Sequence, residues 1–185
     1  MIYKKMLTTY IKDIPTTVTY DTYQNVPLAN LSSSARGDVI EIVVRRVLEE
    51  ITGDKTQDAD VGRTITGKKR GRNQSSFDFY VNDRRCEVKS SQLNWDKYAK
   101  RWTAQFNTIK RDKYDDLYLA LYTPFGIDIY KHDDVLGICT HGKSQESTGG
   151  CVKVYASRKE KSIEIATACI RDKMKHMLVK TLYLK

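Results

Sequence analysis

Asp78, Glu87 and Lys89 are the residues of this chain whose types and spacing could do chemistry. They lie in one stretch, Phe77 to Ser91, which reads FDFYVNDRRCEVKSS. Two runs rich in aromatic and β-branched residues flank Asn82-Asp83, a pair suited to a tight turn. With a two-residue loop, Asp78 stands across from Glu87 and Tyr80 across from Arg85. Alternation along a strand puts Lys89 on the face of Glu87 and turns Phe77, Phe79, Val81, Cys86 and Val88 toward a core. Like charges directly opposite on a sheet repel, so the carboxylate pair is costly without a cation. A divalent ion between them would resolve that cost, bind a phosphoryl oxygen and lower the pKa of a bound water. Oxygen ligands suit magnesium or manganese better than zinc. On an isolated hairpin the same three charges would serve equally well as ordinary solvated surface.

The elements that must hold these groups follow from periodicity. Ser32 to Gly53 predicts a helix, with Ser32, Ser33 or Ser34 as N-cap and Gly53 ending it. Ile40, Val43, Val44, Val47, Leu48 and Ile51 fall on one helical face,. Glu41 sits at the edge of that stripe, where it can reach toward the hairpin while the stripe packs beneath. Asp38 points more to solvent, and Glu49 and Glu50 read as solvated. Trp95, Tyr98, Trp102, Phe106 and Ile109 are spaced 3, 4, 4 and 3, a helical stripe expected to pack in the core rather than to stack bases. Leu117 to Thr123 and Ile127 to Lys131 read as strands joined at Thr123-Pro124-Phe125-Gly126. Cys151 to Ala156 reads as the last strand. Ile163, Ala166, Thr167, Ile170, Met174, Met177 and Leu178 mark a C-terminal amphipathic helix.

Asp78 followed by Glu87-Val88-Lys89 between apolar flanks, with a helical Glu upstream, resembles the PD-(D/E)XK nuclease superfamily, and most of all its type II restriction endonucleases. Phe77 stands where the motif has its proline. The resemblance covers roughly Ser34 to Tyr130. It implies an α/β fold, a mixed β-sheet flanked by helices with a restriction-endonuclease-like core. It implies that Asp78, Glu87 and the backbone carbonyl of Val88 hold Mg²⁺, with Mn²⁺ as substitute. Lys89 would then position or deprotonate the attacking water. Glu41, four residues after Gly37, would support the metal directly or through water. Gln105 stands where the family often carries a polar residue that orients the water. Hydrolysis would leave 5′-phosphate and 3′-hydroxyl ends.

The bulk of the chain fits that expectation. Its 185 residues suffice for one domain with a real core,, read as an N-terminal arm to residue 33, a catalytic core from 34 to 131, and recognition loop, strand and helix from 132 to 185. Thirty-two Lys and Arg against twenty-three Asp and Glu leave +9, which favours a polyanionic partner,. Double-stranded DNA is the expected one, although RNA or an acidic membrane would meet the charge equally. No run approaches a membrane span and no secretory h-region follows the first basic residues. Cys86, Cys139, Cys151 and Cys169 show neither CxxC spacing nor disulfide density,. Cys139, His141 and Cys151 lack an obvious fourth ligand for zinc. A reducing, cytoplasmic location is expected, with no small-molecule cofactor. Met1 to Ile11 reads as a short helix and Thr16 to Tyr23 as extended, an arm covering the core.

DNA contacts are expected from two loops and from the end of the hairpin. Lys68, Lys69, Arg70 and Arg72 form a basic run beside the metal site, suited to the phosphate backbone. His141, Lys143 and Gln145 lie in HGKSQESTGG, whose mixed donors and acceptors suit groove readout. Ser90 and Ser91 directly follow Lys89. Cutting both strands at a short palindrome is most simply done by two copies about a two-fold axis, so a homodimer is expected. A Holliday-junction or repair nuclease, an RNA endonuclease and a non-catalytic nucleic-acid-binding protein are the other readings.

Overall fold

The computed structural model describes residues 23, 26–59, 77–138, 149–158 and 162–184. Helix α1 spans Ser33–Thr52, close to the expected limits. The Ser32 side chain accepts from the Ala35 N–H, and Gly53 closes the helix at φ 79° while its N–H donates to the Glu49 carbonyl. Left-handed backbone at that C-terminal position is what glycine permits most readily. Ile40, Val43, Val44, Val47 and Leu48 are buried. Ile51, expected on the same face, lies in the last turn of the helix and is 52% exposed.

Six strands form the main sheet: β1 (Gln57–Asp58), β2 (Phe79–Val81), β3 (Arg84–Gln92), β6 (Asp116–Thr123), β7 (Gly126–Lys131) and β9 (Leu178–Tyr183), in the order β1-β2-β3-β6-β7-β9. β3 and β6 are parallel and every other neighbouring pair is antiparallel. A second sheet carries β4 (Asn94–Asp96), β5 (Arg101–Ile109) and β8 (Gly150–Tyr155). Helix α2 spans Ile163–Met174, and a 3-10 turn, Lys175–Met177, leads into β9. The mixed α/β architecture is thus as expected. The parallel β3–β6 connection runs through the β4–β5 hairpin rather than through a helix.

Two registers tell which face each element covers. A Cβ on Gly37 of α1 would lie 3.7 Å from Ser90 Oγ, so α1 packs on the even-numbered face of β3. Ser91, Leu121, Asp128 and Thr181 are paired in succession across β3, β6, β7 and β9 and share the opposite face. There the Gln105 N–H donates to Ser91 Oγ at 2.8 Å, and Arg171 of α2 donates to Asp128 Oδ2 at 2.8 Å. The second sheet and α2 therefore cover that side, leaving helices on both faces of the main sheet. β6 is buried along its whole length and forms the centre of the core.

Four expectations are corrected. Trp95 to Ile109 is a hairpin, not a helix, and Tyr98 at its tip is fully exposed. Asp96 Oδ1 accepts from the Tyr98 and Ala99 N–H groups at 3.0 and 2.9 Å, and Lys100 takes φ 51°, which closes a turn instead of a helical one,. The β-branched and aromatic content of RWTAQFNTI then favours strand. Cys151 to Ala156 is not the last strand, because Leu178–Tyr183 adds β9 at the sheet edge. Leu178, assigned to the C-terminal helix face, begins that strand and is exposed. Phe77 does not enter the core; its ring lies edge-on to Tyr80 with centroids 4.8 Å apart. Tyr23 does cover the core, its hydroxyl donating to the Leu93 carbonyl at 2.8 Å. Residues 1–22, with the expected short helix, lie outside the described residues.

Candidate active site

The hairpin that carries the acidic pair forms as its sequence demands. Asn82 and Asp83 both take positive φ, 48° and 61°, the two-residue turn whose twist matches the strands,. The register pairs Phe79 with Cys86, Tyr80 with Arg85 and Val81 with Arg84. β2 begins only at Phe79, so Asp78 stands at the point where the ladder ends. There its carboxylate substitutes for the missing strand: the Val88 N–H donates to Asp78 Oδ2 at 2.7 Å, while the Asp78 N–H donates to the Cys86 carbonyl at 3.0 Å. Within one strand residue the N–H and C=O project to the same side, so the Val88 carbonyl turns toward this same edge.

Glu87 and Lys89 point to the face shared with the second sheet and are joined by an ion pair. Glu87 is only 8% exposed. Burial, then the Asp78 charge, push its carboxyl up to about 7, against the pull of Lys89 and Lys110. Asp78 is also raised, chiefly by burial, with the Val88 N–H, Lys89 and Arg45 opposing. Two carboxylates held this closely and this dry resist ionising together. The site stores an electrostatic cost that a cation would relieve.

Glu41 occupies the next turn of α1 after Gly37, with Arg45 Nη1 at 4.0 Å from its Oε1. Among the described residues no group of three His, Cys, Asp or Glu side chains gathers as a metal cluster, Glu41 and the Asp78–Glu87 pair included. Arg45 stands between them: it pairs with Asp58 at 2.6 Å, lies 5.3 Å over the Phe79 ring and draws on the Asp78 charge. Sequence reading passed over Arg45, although its place four residues after Glu41 is the spacing of a helical ion pair. The Lys110 charge also acts on Glu87, favouring its ionised form.

Gln105 lies on β5 with its side-chain Nε2 donating to Asn107 Oδ1 at 2.7 Å. Its backbone, not its side chain, ties β5 to Ser91 beside the site. Ser90 faces α1 and Ser91 is buried with its hydroxyl donating to the Gln92 carbonyl, so Ser91 serves the sheet junction. Lys68, Lys69, Arg70, Arg72, His141, Lys143, Gln145 and Cys139 lie outside the described residues. Cys86, Cys151 and Cys169 form no disulfide among the described residues. No described helix is long and apolar enough to cross a membrane.

The donor set fits a hard divalent cation. Two carboxylates and a carbonyl meet at one sheet edge, all oxygen, with no sulfur or imidazole among them. Comparison with protein-family models, with curated proteins and with solved structures finds no match.

Proposed function

We propose that the chain is a metal-dependent endodeoxyribonuclease that hydrolyses phosphodiester bonds in double-stranded DNA, acting as a sequence-specific type II restriction endonuclease. The observation that carries this reading is the edge of β3. Asp78 and Glu87 converge there on a dry site that lifts Glu87 to about 7, with Lys89 paired to it. The restriction-endonuclease-like core is read on the same basis, from a hairpin bearing the acids, a helix above it and a parallel neighbour.

Asp78, Glu87 and the Val88 carbonyl would hold Mg²⁺ or Mn²⁺. Such an ion supplies a Lewis acid for a phosphate oxygen and a more acidic bound water. Lys89, kept in place by Glu87, holds the attacking water and meets the negative charge that builds on the five-coordinate phosphorus. Glu41 and Arg45 set the charge on the α1 side of the site. The excess of cations over the chain draws the duplex in.

Unmethylated supercoiled plasmid tests the reading. It should be converted to linear fragments with Mg²⁺ or Mn²⁺ and left intact in excess chelator. Ca²⁺, larger and less exacting in geometry, should support binding with little turnover. Undiminished cutting in chelator, or full cutting by a Glu87→Ala protein, would remove the assignment from this site.

A further inference from the structure

At the far end of β3 lies a cavity of about 690 Å³ that the proposed hydrolysis does not use. Tyr23, the 29–33 turn that enters α1, Arg36 and the β4–β5 hairpin enclose it. Its volume is that of a small-molecule pocket. Gln92, on its wall, is three residues from Lys89, about 10 Å along the strand.

Three features of its lining point to one ligand chemistry. Among the described residues no Asp or Glu lines it, whereas Arg36 and Lys97 both do. Arg36 is half-buried, and burial lowers its pKa more than the nearby tyrosines raise it. Among the described residues it has no carboxylate partner; its guanidinium donates to the Leu31 carbonyl at 3.4 Å. A desolvated cation without a counter-charge is unfavourable unless an anion arrives. Trp95 and Trp102 form the third feature. They are packed edge to face with centroids 5.7 Å apart, and both line the cavity. Trp102 is anchored on the core, while Trp95 lies outside it.

We propose that this cavity binds a single nucleotide unit, its phosphate on Arg36 and Lys97 and its base against Trp95. Aromatic faces accept any base, and guanidinium forks suit phosphate oxygens. The nucleotide comes either from the strand being cut, unstacked beside the scissile phosphate, or from solution as a free mononucleotide. The first source rests on the nuclease reading; the second does not.

The chain contains only two tryptophans, and both line this cavity, so tryptophan emission, excited selectively over the twelve tyrosines, reports on it. Deoxynucleoside 5′-monophosphates, a short single-stranded oligonucleotide and a duplex would be titrated against the Glu87→Ala protein without divalent metal. Inorganic phosphate and an uncharged deoxynucleoside serve as half-ligands. Saturable quenching by the monophosphate, at least tenfold tighter than by either half-ligand, is the expected result. Arg36→Gln and, separately, the exposed Lys97→Ala should each weaken it severalfold, and Trp95→Leu should weaken it while Trp102 still reports. Quenching by duplex with enhanced emission of 2-aminopurine placed near the cut would assign the strand as source; quenching by monophosphate alone would assign the free nucleotide. No saturable quenching by any of these ligands, or quenching untouched by both Lys97→Ala and Trp95→Leu, overturns the proposal. Plasmid cutting, measured in parallel on the parent and Lys97→Ala proteins, tells a failed pocket from a failed nuclease.

Discussion

Glu87 carries the sharpest expectations at the scale of single residues. Asp78→Ala, Glu87→Ala and Lys89→Ala should each lower plasmid cutting by roughly three orders of magnitude or more, because groups that act as a unit fail together. Their effects on stability should differ. Asp78 accepts the Val88 N–H, so Asp78→Ala leaves a buried donor unpaired at about 1–3 kcal/mol, whereas Asp78→Asn keeps an acceptor there,. Glu87→Gln removes a charge from a dry site and should not destabilise at neutral pH. In the metal-free protein the Glu87 carboxyl is raised to about 7 from an ordinary 4.5, so the folded chain holds its proton more tightly than the unfolded chain. That contribution is fully present below about 4.5 and is lost as pH rises through 7, a change on the order of a few kcal/mol. Urea titrations from pH 4.5 to 8 should therefore show wild type losing stability relative to Glu87→Gln as pH rises. Parallel profiles for the two proteins would mean that Glu87 is not held dry beside Asp78.

At the scale of elements, β9 is the piece whose attachment is easiest to test. Asp128 is fully buried on β7, accepting from Arg171 of α2 and from Thr181 of β9 at 2.8 Å each. Removing one member of a buried charged set leaves the other uncompensated, so Asp128→Ala should cost roughly 3–5 kcal/mol in urea unfolding. Gly126→Ala should be similarly harmful, because its Cβ would meet the Leu182 carbonyl oxygen at 2.1 Å and push β9 from the sheet. A loss below about 1 kcal/mol in both variants would show β9 to be dispensable. None of this was legible in the sequence, where Leu178 simply continued a helical stripe; only the 3-10 turn at Lys175–Met177 redirects the chain. The Trp95–Ile109 hairpin was hidden for a related reason. Its apolar spacing satisfied a helical period, and the deciding groups were the Asp96 turn acceptor and the partner strand Gly150–Tyr155, distant in sequence. By contrast, α1 and the Asn82-Asp83 hairpin were legible because local signals fix them: a serine cap, a terminal glycine, and a turn pair that tolerates positive φ. The Asp78–Glu87 approach followed from that turn. The role of Asp78 in completing the sheet edge did not, since it depends on where β2 starts.

For the whole molecule, the remaining expectation concerns how many copies act on one duplex. Among the described residues one Asp78–Glu87 acidic pair is present, and under the nuclease reading one such site would cut one strand. If the proposed restriction activity holds, cutting both strands at a short palindrome requires two sites related by the symmetry of the DNA, which a homodimer supplies. On that reading the +9 charge would make binding to any duplex steeply salt-dependent, so association must be read above the salt at which non-specific complexes dissolve,. Sedimentation of the Glu87→Ala protein with a short duplex carrying the cut site should then give two chains per duplex, and sequenced plasmid fragments should carry identical ends. Charge removal at Lys68, Lys69, Arg70 and Arg72 should weaken binding on all sequences and flatten the salt slope. Changes at His141, Lys143 or Gln145 should alter which sequence is cut if that loop reads bases. Random ends on linear duplex, or one chain per duplex with nicking of a single strand, would exclude the restriction reading. Selective cutting of four-way or mismatched substrates would instead assign the same Asp78, Glu87 and Lys89 to a structure-specific nuclease.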